Sequence, residues 1–274
     1  MIGHPISHSL SPQMHNAALA AMPAFARWRY FPFDVPPADL AAALDIMGSY
    51  GFRGINLTVP HKVLAFGMVS SLDAGAEEAG AVNTLLRDGA GWRGFNTDGF
   101  GLTTGIRESL DIGLEGARVI LLGAGGAARG AAVECLRRGC SGLWIANRTR
   151  RNLDALLAHL APLAGKIQVR ALDRSNGPAT GALVINATSA GLHRDDPAPV
   201  DLADFPGVAA VYDMIYNPPA TRLLQQARAL GLPHANGLGM LVHQGAKALE
   251  IWTGVSAAKT APLMRAAAAK ALGY

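Results

Sequence analysis

The sequence has few cysteines, few aromatic residues and few charges. Cys135 and Cys140 are the only two cysteines in 274 residues, too few for a disulfide framework or a cysteine-rich zinc site. We therefore expect free, buried thiols in a reducing cytoplasm. Aromatic residues make up 6% of the chain, and no apolar run reaches the roughly 18 residues that a membrane-spanning helix needs. We accordingly expect neither a membrane protein nor a secretory signal, since the first residues lack a basic region followed by an apolar one.

The net charge of the chain is also small. The 24 Lys and Arg residues are nearly balanced by 20 Asp and Glu, which leaves a formal net charge of +4. The basic residues are scattered, and their one dense group, Arg148, Arg150 and Arg151, suits a phosphate group better than a polyanion track. No nucleic-acid partner is therefore expected. The eight histidines show no metal-binding spacing such as H-E-x-x-H, so no metal site is predicted either.

Apolar residues and glycine, by contrast, are abundant. Half of the residues are hydrophobic, which is enough to form one large core or two moderate ones and excludes general disorder. Glycine contributes 32 of 274 residues, about 12% against a usual share of about 7%. This excess points to turns and close backbone approaches.

The first part of the chain mixes helix and strand patterns. Ser11-Pro12 begins a predicted helix, and a second one carries the apolar stripe Leu40, Ala43, Leu44 and Met47. Alternating apolar residues over 55–59 predict a strand that Pro60 stops, and a hairpin is predicted over 81–95 with its turn at Asp88-Gly89.

From residue 118 onward the pattern changes to that of a doubly wound sheet. The apolar run at 119–122 is typical of a central parallel strand covered on both faces. Further short strands are predicted at 143–146, 167–172, 183–187 and 209–212, and one intervening helix has an apolar stripe that ends at Leu230. Alternation of this kind predicts a Rossmann-type parallel sheet. Two helices, at 238–252 and 256–272, close the chain.

The loop after the first of these strands fits a dinucleotide-binding fingerprint. Gly123-x-Gly125-x-x-Ala128 follows a buried strand and opens a helix, so that backbone amides can approach a pyrophosphate. The next strand ends 24 residues further on at Asn147, where an NAD enzyme usually has a carboxylate for the ribose. Here the sequence is Asn147-Arg148-Thr149-Arg150-Arg151, and guanidinium groups bind the 2′-phosphate that a carboxylate would repel. We therefore predict NADP as the cofactor.

Three polar residues stand at or near the ends of predicted strands in the first part of the chain. Lys62, Asn83 and Asp98 each occur in a short polar segment that follows or interrupts an apolar one. Beside a dinucleotide-binding domain, the amine and the carboxylate can pair and move a proton while a hydride crosses to a nicotinamide.

Six segments, in order along the whole chain, resemble motifs of the shikimate dehydrogenase family. They are Gly3-x-Pro5-Ile6-x-His8-Ser9-x-Ser11-Pro12-x-x-His15-Asn16, Asn56-x-Thr58-Val59-Pro60-His61-Lys62, Ala81-Val82-Asn83-Thr84, Asn96-Thr97-Asp98-Gly99, Asn186-Ala187-Thr188 and Gly239-Met240-Leu241-Val242-x-Gln244. Six ordered matches are far more specific than any single one.

The resemblance implies an α/β enzyme of two domains with a cleft between them. A substrate domain would span residues 1–98, completed by 238–274, and a Rossmann-type NADP domain would span 99–237. The family's reaction is the reversible, NADPH-dependent reduction of the 3-keto group of 3-dehydroshikimate to shikimate, on the route to aromatic amino acids. The expected protein is thus a cytoplasmic oxidoreductase, a monomer or a homodimer, with a small-molecule substrate.

The resemblance also implies roles for individual residues. Lys62 and Asp98 would be the catalytic pair. The implied substrate contacts are Ser9, Ser11, Thr58, Asn83, Asp98, Tyr216 and Gln244. The implied cofactor contacts are Gly123, Ala124, Gly125, Gly126, Ala127, Asn147, Arg148, Thr149, Arg150, Arg151, Met214 and Gly237.

Two other functions stay open at this point. One is an NAD-dependent quinate/shikimate dehydrogenase, which the basic stretch 147–151 disfavours. The other is a catalytically silent relative that binds NADP or shikimate as a regulatory module. The presence of both Lys62 and Asp98 argues against it, because a binding protein does not need an acid–base pair.

Overall fold

Two units make up the fold of the computed structural model, which describes residues 1–7, 9–173 and 176–273. The first unit consists of Met1–Gly101 and Leu241–Tyr274, and the second of Leu102–Met240. These boundaries lie at 101/102 and 240/241, three residues beyond the domain boundaries expected from the sequence.

The helices and strands follow one another in mixed order along the chain. The helices are α1 (Ser11–Ala20), α2 (Leu40–Ser49), α3 (His61–Leu64), α4 (Ala74–Ala79), α5 (Asp98–Leu110), α6 (Gly126–Arg137), α7 (Arg150–Leu160), α8 (Arg222–Ala229), α9 (Leu238–Thr253) and α10 (Ala257–Leu272). The strands are β1 (Ile2–Gly3), β2 (Phe33–Asp34), β3 (Gly54–Asn56), β4 (Ser71–Leu72), β5 (Thr84–Asp88), β6 (Gly91–Phe95), β7 (Arg118–Leu122), β8 (Gly142–Ala146), β9 (Gln168–Ala171), β10 (Ala182–Asn186), β11 (Val208–Asp213) and β12 (His234–Ala235).

The first unit is built on a four-stranded sheet in the order β3-β5-β6-β4. The predicted hairpin is present, because β5 and β6 pair antiparallel and turn at Gly89, whose φ of +55° suits glycine. Leu40, Leu44 and Met47 of α2 are buried against the sheet, as their helical spacing predicts. Each such side chain contributes about 1.5–3 kcal/mol when it is fully buried.

The second unit is a six-stranded parallel sheet in the order β12-β11-β10-β7-β8-β9. The run at 119–122 is buried on both faces, since Val119 and Leu121 belong to one apolar core and Ile120 and Leu122 to another. After β7, the chain adds β8 and β9 on one side of that strand. It then returns and adds β10, β11 and β12 on the other side. This is the strand order of dinucleotide-binding Rossmann folds, so the predicted α/β fold with a doubly wound sheet is confirmed.

Two apolar patterns misled the sequence prediction. The strand predicted over 55–59 ends at Asn56, and Val59 is 70% exposed because the chain turns there, with the His61 amide donating to the Thr58 carbonyl. The helix whose apolar residues were predicted to continue to Leu230 also ends before that residue. α8 stops at Ala229, and Leu230 is 53% exposed just before a turn at Gly231, whose φ is +69°.

Three sequence predictions concerned thiols, membranes and metals. Cys135 and Cys140 are buried and free of disulfide bonds, as predicted. Within the described residues, no helix combines the length and the apolar character needed to cross a membrane. The same residues contain no cluster of three or more His, Cys, Asp or Glu side chains suited to a metal ion.

Candidate active site

Two side chains of the first unit form a close ion pair. Lys62, in α3, donates from Nζ to Oδ2 of Asp98, the first residue of α5, at 2.6 Å. Their side chains are 25% and 16% exposed, so water reaches both of them only in part. A charge-assisted hydrogen bond of this length holds an amine and a carboxylate where a proton can pass to a bound reactant. The structure therefore brings together the two residues predicted as the catalytic pair, and their catalytic role stays a prediction.

Asn83 orients the carboxylate of this pair. Its Nδ2 donates to Oδ1 of Asp98 and to Oγ1 of Thr97, both at 2.9 Å. Its Oδ1 accepts from the Thr97 backbone amide at 2.8 Å and from Oγ1 of Thr84 at 3.0 Å. Because every polar atom of this buried amide has a partner, the side chain cannot rotate without breaking several hydrogen bonds.

Tyr30 and Asn56 form a further buried pair, which extends this network. Neither residue was predicted from the sequence as a site residue. The hydroxyl of Tyr30 donates to Oδ1 of Asn56 at 2.8 Å, and Nδ2 of Asn56 donates to Oγ1 of Thr84 at 2.9 Å. Thr84 in turn donates to Asn83, so three side chains, Asn56, Thr84 and Asn83, connect Tyr30 with Asp98. Asn56 stood in a recognised motif, but nothing in the sequence showed which residue it would contact.

Backbone hydrogen bonds hold the short helix that carries Lys62. The carbonyl of Lys62 accepts from the Val82 amide at 2.8 Å, next to Asn83 in the chain. His61 is buried, and burial lowers the pKa of its imidazole, which favours the neutral ring. Its Nε2 lies 2.8 Å from the Val35 carbonyl, to which the neutral ring can donate. These two contacts hold α3 in place through His61 and Lys62.

Ser9 and Ser11 lie together at the start of α1. The Ser11 amide donates to Oγ of Ser9 at 3.2 Å, and the Ser9 hydroxyl lies 3.1 Å from the sulfur of Met1. Pro12, at the second position of α1, has no amide hydrogen, and Leu10 before the helix offers no capping side chain. Ser9 and Ser11 thus place two hydroxyl groups at this positively polarised helix end, and the Ser11 side chain is buried beside the Tyr30 hydroxyl.

The other predicted substrate residues of the first unit are Thr58 and Gln244. Thr58 follows β3, and its backbone amide donates to the Ile2 carbonyl at 3.0 Å. Gln244 lies in α9, where its Nε2 donates to the Leu241 carbonyl of the same helix at 2.9 Å. Both side chains are partly exposed.

In the second unit, the glycine-rich loop lies where the strand order reverses. Gly123, directly after β7, has a φ of +116°, and a Cβ added there would lie 2.9 Å from the Ala187 carbonyl that follows β10. Only glycine fits this position. Around Gly125 and Gly126 the space is open, and both lie at the exposed start of α6. The loop with Ala124 and Ala127 thus offers helix-terminal amides to an anion, as a pyrophosphate requires.

The segment after β8 begins with Asn147, whose side chain forms a hydrogen bond with the backbone. Nδ2 of Asn147 donates to the Thr149 carbonyl at 2.9 Å. Thr149 directly precedes α7, and its side chain makes no capping hydrogen bond. The first amides of α7 therefore remain available to an anionic group.

The three arginines of this segment differ in their partners. Nε of Arg150 donates to both carboxylate oxygens of Asp154, at 2.8 and 3.0 Å. Arg148 and Arg151 are exposed and have no ion-pair or hydrogen-bond partner within the part of the chain that the structure describes. Two guanidinium groups are thus free to bind a phosphate, and the third is already paired.

Met214 and Gly237, both predicted cofactor residues, contact each other. A Cβ on Gly237 would overlap the carbonyl of Met214, and the Gly237 amide donates to the Ile215 carbonyl at 3.1 Å. Tyr216, two residues after Met214, is partly buried, and this burial raises the pKa of its hydroxyl. The phenol is therefore neutral at neutral pH and can donate a hydrogen bond.

Asp213, which the sequence reading missed, anchors this turn. The carboxylate is fully buried and accepts from Nδ2 of Asn186 at 2.9 Å, from the Ile215 amide at 3.0 Å and from Oγ1 of Thr221 at 2.6 Å. Burial raises its pKa, while the three donors lower it. Asp213 thus ties the ends of β10 and β11 to the start of α8.

Comparison with known families gives two matches at the ends of the chain. Residues 1–85 match the shikimate dehydrogenase substrate binding domain, and residues 237–268 match the shikimate 5'-dehydrogenase C-terminal domain. The first match contains Lys62 and Asn83, and the second contains Gly237 and Gln244.

Similar proteins match over nearly the whole chain. Shikimate dehydrogenase (NADP(+)) from Citrifermentans bemidjiense is 42% identical over 93% of this chain and 89% of its own length. A crystal structure of shikimate 5-dehydrogenase from Thermus thermophilus, in complex with NADP(H) and shikimate, is 36% identical with a TM-score of 0.82 and covers 97% of both chains. Quinate dehydrogenase from Corynebacterium glutamicum, in complex with NAD, is 28% identical with a TM-score of 0.82 over 96% of both chains. With its Lys62–Asp98 pair, its Rossmann-type sheet and 42% identity across almost its full length, the chain belongs to the shikimate dehydrogenase family.

Proposed function

We propose that this protein catalyses the reversible, NADPH-dependent reduction of 3-dehydroshikimate to shikimate, the reaction by which its relatives are named. The observation that carries the proposal is the 2.6 Å contact between Lys62 and Asp98, with Asn83 on the other carboxylate oxygen. An acid–base pair of this kind is what carbonyl reduction needs, in a chain 42% identical to an NADP-dependent shikimate dehydrogenase.

Lys62 acts as the acid–base group. As an ammonium it donates a proton to the carbonyl oxygen of 3-dehydroshikimate while that oxygen gains negative charge, and as an amine it removes the proton in the reverse direction. Asp98 fixes the position of Nζ and stabilises its charged form, and it also accepts a hydrogen bond from a ring hydroxyl. Asn83 keeps the carboxylate in the required orientation.

The remaining polar residues hold the substrate. Ser9 and Ser11 donate hydroxyl hydrogens to its carboxylate at the start of α1, where the helix dipole favours an anion. The ring hydroxyls need both donors and acceptors, which Thr58, Gln244 and the neutral phenol of Tyr216 supply together with Asn83.

The second unit binds NADP. The open space around Gly125 and Gly126 and the free amides at the start of α6 suit the pyrophosphate. Arg148 and Arg151, free of other partners among the described residues, suit the 2′-phosphate. When bound, the nicotinamide supplies or accepts the hydride. Gly237 allows the turn at Met214 to approach closely, and both residues would line the cofactor site.

This assignment gives each domain one task. Residues 1–98 with 238–274 bind the substrate, and residues 99–237 bind the cofactor. The match of residues 1–85 to a substrate binding domain supports the first half, and the Rossmann strand order supports the second. A reducing cytoplasm fits the two buried, unpaired thiols. The active form is a monomer or a homodimer, which light scattering of the purified protein would distinguish.

The runner-up function is that of an NAD-dependent quinate/shikimate dehydrogenase, and a 28%-identical quinate dehydrogenase in complex with NAD has the same fold. The fold therefore does not separate the two functions, whereas the basic segment at 147–151 favours NADP over NAD as the cofactor. An NAD enzyme has no use for two unpaired arginines beside the ribose, and the carboxylate that would bind the 2′-hydroxyl is missing there.

A four-way assay tests the proposal. Purified protein is mixed with shikimate or quinate and with NADP or NAD, and reduction of the nicotinamide is followed by its absorbance. We expect the shikimate–NADP pair to give by far the highest kcat/KM. An equal or higher kcat/KM with quinate or with NAD would instead favour the NAD-dependent quinate/shikimate dehydrogenase. Binding of shikimate without turnover in any combination would instead indicate a regulatory protein.

A further inference from the structure

A cavity in the first unit lies apart from the catalytic pair. Its volume is about 490 Å³, within the range of about 300–1,000 Å³ usual for small-molecule sites. The residues around it come from the end of α1, the segments at 28–31 and 50–54, and the second half of α9. Neither Lys62 nor Asn83 nor Asp98 lines this cavity.

The inner wall of the cavity is apolar and buried. It consists of Leu19, Tyr30, Leu249 and Trp252, all nearly inaccessible to solvent. The Trp252 indole is fixed by a hydrogen bond from its Nε1 to the Leu85 carbonyl at 2.9 Å, and its ring centroid lies 6.1 Å from that of Tyr30. A Cβ on Gly54 would overlap the indole, so glycine at this position is needed for the ring to lie where it does.

The outer rim carries more aromatic rings. Trp28, Phe31, Tyr50 and Phe52 also line the cavity, and Phe31 and Tyr50 are largely exposed. Rigid aromatic rings that line a cavity offer faces and edges against which another flat ring can pack. Exposed aromatic side chains around a buried apolar wall are also typical of binding surfaces.

The charged side chains that line the cavity are basic. Among the described residues that line the cavity there are two arginines, Arg29 and Arg53, and no acidic side chain. Nη1 of Arg29 donates to the carbonyls of Ala26 and Trp28 at 2.6 and 2.8 Å, which holds this guanidinium in place. Arg53 is exposed and makes no side-chain hydrogen bond or ion pair with any part of the chain that the structure describes.

We propose that this cavity is a second binding site, which takes a planar aromatic carboxylate. The aromatic ring packs among Tyr30, Trp252 and the rim aromatics, and the carboxylate pairs with Arg53 at the opening. A guanidinium fork binds a carboxylate through two parallel hydrogen bonds, which gives both affinity and orientation. The site is separate from the proposed substrate site, because Lys62, Asp98, Ser9 and Ser11 do not line the cavity.

Calorimetry of the full-length protein with 1-naphthoate tests this proposal, with and without saturating shikimate. We expect one naphthoate per chain in both conditions. Arg53→Ala should weaken binding at least tenfold, since a charge-assisted hydrogen bond is lost, and Tyr50→Ala should weaken it severalfold. Both residues are exposed, so neither change endangers the fold. Arg107→Ala, an exposed arginine of α5 outside the cavity, is the matched control and should leave naphthoate binding unchanged.

Four results would overturn the assignment. They are absence of binding, displacement of naphthoate by shikimate, equal affinity in Arg53→Ala, and equal affinity for the neutral 1-naphthalenemethanol. The Arg53→Ala comparison needs no shikimate. It therefore remains decisive even if the proposed dehydrogenase activity were wrong.

Discussion

Asn83 donates to Oδ1 of Asp98 at 2.9 Å and so leaves Oδ2 to the ammonium of Lys62. The carboxylate is thereby held by two donors, a neutral amide on one oxygen and a cation on the other. The first donor comes from the segment before β5 and the second from α3, and the Val82 amide joins these two segments by its bond to the Lys62 carbonyl. The position of the proton donor thus depends on the backbone as well as on side chains.

Replacing the proton donor should lower the rate more than the affinity. In Lys62→Ala, kcat is expected to fall about 10²–10⁴-fold with little change in KM for shikimate, because the donor acts mainly on charge that develops in the transition state. Steady-state kinetics with shikimate and NADP would measure both constants. Lys259→Ala, an exposed lysine of α10, serves as the control and should keep wild-type values. Wild-type kcat in Lys62→Ala would exclude Lys62 as the acid–base group.

Loss of the orienting amide should affect both stability and rate. Asn83→Ala removes the acceptor of the buried Thr97 amide, and an unsatisfied buried donor costs about 1–3 kcal/mol. We expect a lower free energy of unfolding in urea and, at temperatures where the variant is folded, a lower kcat. Lys62→Ala should not destabilise the fold to the same extent, since its side chain is partly exposed. An Asn83→Ala enzyme with normal kcat would show that the Asp98 carboxylate needs no second donor.

Cofactor choice should depend on the two unpaired arginines. The double variant Arg148→Ala/Arg151→Ala is expected to raise KM for NADP about 10–150-fold, the effect of losing a charge-assisted hydrogen bond of about 1.5–3 kcal/mol. The poor use of NAD should hardly change, because NAD has no phosphate at that position. Arg150→Ala is the matched control and should raise KM for NADP less, since Arg150 is paired with Asp154. Equal weakening of NAD and NADP in the double variant would mean that the arginines shape the loop or hold only the adenine.

Sequence patterns predicted the second unit better than the first. The run at 119–122 and the glycine-rich loop after it are local signals, and parallel strands buried on both faces carry continuous apolar runs. In the first unit, several strands are only two residues long, and their pairing depends on distant partners, as in the contact of Ile2 with Phe33. A two-residue strand has no periodicity that could reveal it.

The candidate site shows the same limit. Lys62 and Asp98 could be selected because an amine and a carboxylate suit proton transfer, and Asn83 because it is a polar residue near a predicted strand end. The structure places the three in contact. Asn56 and Asp213 could not be assigned a partner from sequence, because each works through buried hydrogen bonds to residues 27 or 28 positions away. Only the folded chain shows which polar side chains meet.

Gly237 should tolerate no side chain. A Cβ there would overlap the Met214 carbonyl, and backbone cannot move aside as a flexible side chain can. Gly237→Ala is therefore expected to lower the free energy of unfolding by about 1–3 kcal/mol and to raise KM for NADP, since the turn at Met214 shifts. Gly130→Ala, in α6 with open space around the added methyl, is the control and should be neutral or stabilising by up to about 1 kcal/mol. Unchanged stability and NADP affinity in Gly237→Ala would refute the role of this close approach.

His15 should make the fold less stable in mild acid. The imidazole is fully buried and stacks on Tyr30, with ring centroids 4.1 Å apart, and burial lowers its pKa from 6.5 to about 4. Between these two pH values the unfolded chain binds a proton that the folded chain does not, so stability falls as the pH falls through this window. Each pH unit contributes up to about 1.4 kcal/mol, which gives a loss of about 3 kcal/mol from this residue by pH 4.

His15→Phe keeps a flat ring against Tyr30 and removes the titrating group. Urea unfolding of the two proteins at several pH values between 4.5 and 7 should give a shallower pH dependence of the unfolding free energy in the variant. The Met1 ammonium, whose pKa burial lowers to about 5, and the buried imidazole of His61 contribute in the same direction in both proteins, so only the difference between them reports His15. His234→Phe, at an exposed histidine, is the matched control. Equal slopes for wild type and His15→Phe would show that His15 takes up its proton in the folded protein as readily as in the unfolded chain.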